Sequence, residues 1–459
     1  MTNPLPLTAT YLSLPERFYT KQSATPVSDP KLIAFNAELA RALDLNPDDF
    51  PSETAAKLLS GNENPQNAEP FAQVYAGHQF GGFSPQLGDG RALVLGEIDS
   101  PTLGRVDVQL KGSGPTPYSR MGDGRAAIGP VIREYVMSCA MQALGIPTTK
   151  ALAVVTTGDP VLRENGPLPG AILTRIAASH IRVGTFQFFA ARGDVEGLQA
   201  LTDYTIERHY PDIKTPAELI EKVMEKQASL VAKWMGIGFI HGVMNTDNVT
   251  ITGETIDYGP CAFMDTYHPD TVFSSIDQHG RYAYSNQPSV THWNLAQFAS
   301  CFVQLMADQN KAIEEFTAII NRFPALYQAQ WSKVFAAKLG LQPGDEATQL
   351  AQDLLTRMAQ DKLDFTNTFN ALDDVSQVDA AWYDRWRAMQ PDDALWQKTN
   401  PQIVPRLHHI EAAIQAAQSG DYAPFHALTA AMSDPFAPNP DYAQPPQDFE
   451  KVHRTFCGT

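Results

Sequence analysis

Two runs near residue 100 carry apolar and β-branched positions close together, residues 92–98 and residues 106–111, and they read as strands joined by a turn containing Pro101 and Gly104. Past Gly129 and Pro130 the period changes. Val131, Tyr135, Val136, Cys139, Ala140, Ala143 and Leu144 recur at helical spacing until Gly145, with Pro147 beyond. Residues 151–155 predict a further strand. Thr215-Pro216-Ala217-Glu218 is a capping box with proline at the first helical position. The helix it opens has Ile220, Val223, Met224, Leu230, Val231, Trp234 and Met235 on its apolar face and ends at Gly236 and Gly238. From Trp293 onward the pattern is mainly helical, with proline-rich punctuation over residues 435–446. Residues 1–70 mix short helical stretches with Pro/Asn-rich loops and read as an extension packed on the strand-rich part of the chain. No internal repeat is found.

Length and charge narrow the class. At 459 residues the chain exceeds one ordinary domain and has ample material for a core. Lys and Arg number 34 against 51 Asp and Glu, a formal net charge of −17 that repels nucleic acid and anionic membranes. Basic residues that cluster despite this balance are informative. No apolar run approaches the roughly 18 residues of a membrane span, and the first residues have neither signal-peptide nor transit-peptide character. Four cysteines (Cys139, Cys261, Cys301, Cys457) form no disulfide framework and no zinc spacing. A cytoplasmic enzyme without nucleic-acid or membrane partners is expected.

The chemistry is concentrated between His241 and Gly259. The protein-kinase pattern H-R-D-L-x-x-x-N places a catalytic aspartate two residues after the histidine, a metal-binding asparagine five residues after that, and a second metal ligand in D-F-G. Here Val243 fills the first slot and cannot accept a proton, while Asn248 keeps the asparagine slot and Asp257 the D-F-G slot. Asn248 and Asp257 offer the oxygen ligands a hard divalent ion such as Mg²⁺ requires, phosphates and water completing the shell. Asp247 is the carboxylate in this loop placed to accept a proton from an incoming hydroxyl; its other readings are a third metal ligand or a helix cap. His241 braces the loop.

Upstream, Gly88-Asp89-Gly90-Arg91 precedes the first strand, where a kinase places the loop over the nucleotide phosphates, and the same tetrapeptide recurs as Gly122-Asp123-Gly124-Arg125. Glycines allow backbone N–H groups close to phosphate, although G-x-G is also an ordinary turn. Lys111 ends the second strand at the place of the kinase V-A-I-K lysine, and Glu134 on the following helix is its prospective ion-pair partner; a surface lysine and a solvated glutamate are the alternative. Arg175 and Arg182 add two guanidiniums suited to phosphate oxygens or, equally, to pairing with surface carboxylates. His78 reads as a structurally hydrogen-bonded histidine. The order of parts predicts an α+β, protein-kinase-like two-lobed fold: an extension (1–70), a β-rich N-lobe (71–165), a helical C-lobe with the catalytic and metal-binding loops (166–300), and a helical C-terminal region (301–459).

At these residues the chain resembles the selenoprotein O family of kinase-fold proteins. The likeness is carried by residues 75–80, 88–91, 109–112, 115–120, 241–248 and 257–261 and spans essentially the whole chain. It implies a protein adenylyltransferase that moves AMP from ATP to Ser, Thr or Tyr hydroxyls of other proteins, with the nucleotide reversed relative to ordinary kinases. It further implies Gly88, Gly90, Arg91, Lys111, Asp123, Gly124, Arg175 and Arg182 at the nucleotide, Asn248 and Asp257 at Mg²⁺ or Mn²⁺, and Asp247 as base. Charge around the β- and γ-phosphates suits attack at the α-phosphorus with pyrophosphate leaving. From the resemblance also comes a redox-sensitive disulfide between Cys261 and the tail residue Cys457, regulatory in a reducing cytosol. An atypical kinase using Asp247 as a displaced base, or a catalytically silent nucleotide-binding scaffold, are the competing readings.

Overall fold

The computed structural model describes residues 4–164, 166–375 and 378–456. Ten strands precede the helical part: β1 (Tyr19–Lys21), β2 (Lys31–Phe35), β3 (Phe71–Gln73), β4 (Gly77–Gln79), β5 (Gly82–Ser84), β6 (Ala92–Ser100), β7 (Gly104–Lys111), β8 (Ala126–Ala127), β9 (Lys150–Arg163) and β10 (Gly166–Ala177). All but β4 and β5 form one sheet in the order β1-β3-β6-β7-β10-β9-β2, with β8 paired to β10; every pairing is antiparallel. β4 and β5 make a separate hairpin.

Alternation along β7 explains how the sheet serves the site. Val106, Val108 and Leu110 turn to one face and pack with Leu39, Leu58 and Leu59 of helices α1 (Ala37–Ala42) and α2 (Ser52–Ser60). Asp107, Gln109 and Lys111 turn to the other face, toward the helical part. That face is covered by α3 (Ile128–Ala143), whose Ile132 and Val136 are buried with Val154 and Leu173 of the sheet.

The extension is less separate than its composition suggests, because β1 pairs with β3 and β2 with β9. The sheet also runs past residue 165: β10 pairs with β9 and β7 through Ala177, so a boundary at 165/166 falls inside a hairpin. The expected helical opening after residue 165 is thus corrected. Helical structure starts with α4 (Val183–Ala190), α5 (Val195–His209) and α6 (Pro216–Gly236), followed after the loops by α7 (Gln287–Cys301). The capping box of α6 forms as its sequence requires: Glu218 N donates to Thr215 Oγ1 at 3.3 Å and Thr215 N to Glu218 Oε2 at 2.9 Å. Two short strands, β11 (Phe239–Ile240) and β12 (Ala262–Phe263), pair at the base of the 241–261 segment. Among the described residues no helix is long and apolar enough to cross a membrane.

Candidate active site

A cleft of about 790 Å³ opens between the sheet and the 241–261 segment. Gly88, Gly90, Arg91, Lys111, Asp123, Gly124, Glu134, Arg175, Arg182, Asp247, Asn248 and Asp257 all line it, so residues scattered over 170 positions of sequence meet at one place. The lining also includes Arg120, Arg125 and Arg163, and bases outnumber acids there, the reverse of the whole chain.

At its floor lies a knot of charge. Lys111 Nζ donates to Glu134 Oε2 and to Asp257 Oδ1, both at 2.7 Å. Arg175, projecting from β10, donates from Nε to Glu134 Oε1 at 2.9 Å, from Nη1 to Gln109 Oε1 at 3.2 Å and from Nη2 to Asp257 Oδ1 at 2.7 Å. Arg182, just before α4, donates from Nη1 to Asp257 Oδ2 at 3.1 Å. Burial alone would raise the Asp257 pKa, but Lys111, Arg175 and Arg182 hold it well below the usual carboxylate range. Burial likewise opposes ionisation of Glu134, and Arg175 with Lys111 reverses it. Asp257 itself sits at φ +61°, a left-handed conformation that costs a non-glycine residue about 1 kcal/mol and is held here by the three clamped charges.

Asp247 meets a different environment in the same cleft. It is buried, its Oδ1 has no hydrogen-bond partner among the described residues, and its Oδ2 accepts from Gln79 Nε2 at 3.3 Å. Burial pushes its carboxyl up to about 6, against the opposing pull of Arg182. Arg182 touches this residue through its backbone, Nη1 donating to the Asp247 carbonyl at 3.0 Å. Asn248 turns its Nδ2 to the Val243 carbonyl at 2.8 Å, which leaves the amide oxygen as its end for a cation. His241 is fully buried, its Nε2 within 2.9 Å of the Ile256 carbonyl, which ties the two halves of the loop together.

The donor set fits a hard divalent ion in kind: one amide oxygen and one carboxylate, with room left for phosphate and water. No group of three or more His, Cys, Asp or Glu side chains able to hold a metal occurs among the described residues.

The glycine loops have a packing reason. A Cβ on Gly88 would stand 2.6 Å from Cγ of Tyr118, and one on Gly124 would stand 2.1 Å from the Gly114 carbonyl carbon. The two tetrapeptides are therefore bound to each other through the 114–120 segment. Of their charged members, Asp123 pairs with Arg163 at 2.8 Å, Arg125 reaches the Thr25 and Pro26 carbonyls, and Arg91 has no ion-pair partner among the described residues.

The family model described as protein adenylyltransferase SelO matches residues 3–390. The chain belongs to the SelO family. Three relatives of this SelO chain carry the name protein nucleotidyltransferase YdiU. The one from Jannaschia sp. is 55% identical and that from Ruegeria pomeroyi 53%, each over the full length of both chains. The one from Rhizobium etli is 51% identical over 98% of this chain and 96% of its own.

Two lining residues of this SelO chain lie in the 75–80 run, yet nothing in the sequence assigns them a role. Gln79 lies in the 75–80 run, where His78 draws the eye, and His78 proves to be held structurally, with Nδ1 2.8 Å from Gln187 Nε2. Tyr75 lies beneath Arg182, whose guanidinium carbon is 4.6 Å from the ring centre. The implied pairing of Cys261 with Cys457 involves a residue outside the described ones. Cys261 is buried, and nearby Thr455 Oγ1 donates to the Pro260 carbonyl at 2.6 Å.

Proposed function

We propose that this chain transfers AMP from ATP to Ser, Thr or Tyr hydroxyls of proteins, with pyrophosphate leaving. As a SelO-family member it is a nucleotidyltransferase; the acceptor class and the residue roles are our reading. One observation carries it. Two carboxylates share the cleft in opposite surroundings: Lys111, Arg175 and Arg182 hold Asp257 well below the usual carboxylate range, while burial pushes Asp247, with no cation hydrogen-bonded to its carboxyl, up to about 6. Such a split separates a charge-holding residue from a proton acceptor.

In the reaction the acceptor oxygen bonds to the α-phosphorus as the bond to pyrophosphate breaks, and the hydroxyl proton passes to the Asp247 carboxylate. In this reading Lys111, Arg175 and Arg182, which line the cleft, supply positive charge to the leaving phosphates, joined by Arg91, which lacks an ion-pair partner among the described residues. Asn248 and Asp257 would hold Mg²⁺ or Mn²⁺, which when bound neutralises phosphate charge. Gly88, Gly90, Asp123 and Gly124 shape the loops over the nucleotide.

The architecture we propose is the two-lobed, kinase-like one, supported by a lysine on β7 paired to a glutamate on α3 and by Asn248 and Asp257 flanking the cleft. The division at 1–70, 71–165, 166–300 and 301–459 belongs to the same reading, with the β10 strand moved into the first lobe. A Cys261–Cys457 disulfide and a cytoplasmic location are also proposed; the nearness of Thr455 to Pro260 supports the former.

Incubating the protein and a lysate with ATP labelled at the α- or the γ-phosphate tests the reaction. Label from α alone is expected. Label from γ alone would make it a kinase, and label from neither a scaffold.

A further inference from the structure

The β4–β5 hairpin is docked on the catalytic loop residue by residue. Phe80 N donates to Asn245 Oδ1 at 3.1 Å, His78 N to Thr246 Oγ1 at 2.7 Å, and Gln79 Nε2 to Asp247 Oδ2 at 3.3 Å. Three consecutive hairpin residues thus grip three consecutive loop residues. Gln187 of α4 locks the arrangement from behind: its Oε1 accepts from Thr246 Oγ1 at 2.6 Å while its Nε2 lies against His78. The backbone of the hairpin presses on the same carboxyl. A Cβ on Gly77 would stand 2.9 Å from Asp247 Oδ1 and 3.1 Å from its Cβ, so this strand approaches closely only because residue 77 has no side chain.

The two oxygens of Asp247 are thereby made unequal. Oδ1 is sealed beneath Gly77 without a partner among the described residues, and Oδ2 is left as the oxygen that can meet the cleft. The single side chain donating to that oxygen, among the described residues, is Gln79, which itself lines the cleft. An aspartate has two free torsions, and a base must hold its accepting lone pair on the line of attack; a misplacement of about 1 Å can cost about a hundredfold in rate.

We infer that Gln79 is a positioning residue for transfer, fixing the rotation of the Asp247 carboxyl so that Oδ2 faces the acceptor hydroxyl. Among the described residues its side chain donates to Asp247 and to no member of the charge knot at Asp257, so its effect is expected on turnover and not on nucleotide binding. The inference rests on the reading of Asp247 as base. It assigns the hairpin a purpose: β4 and β5 belong to no other sheet, and their grip on residues 245–247 is what they supply.

The test is steady-state transfer of α-labelled AMP by the full chain bearing Gln79→Met, which keeps length and loses the donor, and Gln79→Lys, which keeps a donor. Asp247→Asn serves as the reference, and thermal unfolding confirms that each variant is folded. Gln79→Met is expected to lower kcat about tenfold with the KM for ATP within about twofold of the parent, and Gln79→Lys to recover a substantial part of the loss. Should the Met side chain disturb the hairpin, Gln79→Ala carries the same expectation. Parental kcat in both Met and Ala variants, a loss confined to the KM for ATP, or equal losses in Met and Lys would overturn the inference. An inactive Asp247→Asn beside a fully active Gln79→Met removes Gln79 alone, whereas an active Asp247→Asn removes the base reading beneath it.

Discussion

Arg182 hydrogen-bonds Asp247 through its main chain and not through its carboxyl, the guanidinium Nη1 donating to the Asp247 carbonyl at 3.0 Å. The same nitrogen donates to Asp257 Oδ2 at 3.1 Å. One buried arginine therefore sets the spacing between the proposed base and the proposed metal ligand, while making no ion pair with the carboxyl of Asp247.

Replacing Arg182 should separate these two loops. Arg182→Lys cannot span both acceptors with a point charge, and Arg182→Ala leaves Asp89 and Asp257 with one cation fewer in a buried setting. Both variants should lose transfer, and the alanine variant should lose roughly 3 kcal/mol of unfolding free energy. Denaturant titration beside a transfer assay checks this; a lysine variant with full activity would contradict the bridging role.

Gly124 predicts a different defect. Its φ of +64° and the 2.1 Å approach of an added Cβ to the Gly114 carbonyl carbon mean that Gly124→Ala must push the 122–125 loop off the 114–120 segment. Nucleotide affinity should fall about tenfold or more, with little change in overall unfolding, because the loop lies at the cleft rim. Equilibrium binding of ATP measures it.

The parts legible in the sequence are those whose causes are local. β6, β7 and α6 announce themselves through β-branched runs and a capping box, and the 241–259 segment through spacing alone. β10 escapes a sequence reading because it opens with Pro167, Pro169 and Gly170, residues that argue for a loop. The prolines are tolerated because that end of the strand pairs only with the far end of β9. The β4–β5 hairpin lacks β-branched residues altogether, and its grip on residues 245–247 spans some 165 positions, beyond any local pattern. For the same reason the convergence of Arg175 on Asp257 emerges only with the sheet, since an arginine at a strand position reads equally as a surface pair.

A buried lysine away from the cleft makes stability depend on pH. Lys338 donates to Asn400 Oδ1 at 2.6 Å and lies 4.1 Å from the Phe369 ring centre, with no carboxylate beside it among the described residues. Burial pushes its pKa down from 10.5 to about 7. Between those values the unfolded chain binds a proton that the folded chain does not, so the stability should rise with pH across this window. The full cost is present below about 7. Lys338→Met removes the titration. Unfolding free energies at several pH values from about 7 to about 9 should show a flatter slope in the variant; identical slopes would contradict the assignment.

Chelation should separate chemistry from fold. As the proposed metal ligands, Asn248 and Asp257 would supply only two protein groups, so the ion should leave readily, and the knot formed by Lys111, Arg175 and Arg182 keeps Asp257 compensated without it. Excess chelator is expected to abolish transfer, to change the unfolding temperature little, and to be reversed by Mg²⁺ or Mn²⁺.

The central claim is that Asp247 takes the proton while the charge knot at Asp257 holds the nucleotide. It is tested most directly by following α-labelled AMP into protein with the parent and with Asp247→Asn, and by measuring ATP binding to both. The account predicts that the variant binds ATP with affinity within a few-fold of the parent and that its transfer rate falls at least about a hundredfold. Transfer at the parental rate by Asp247→Asn would contradict it.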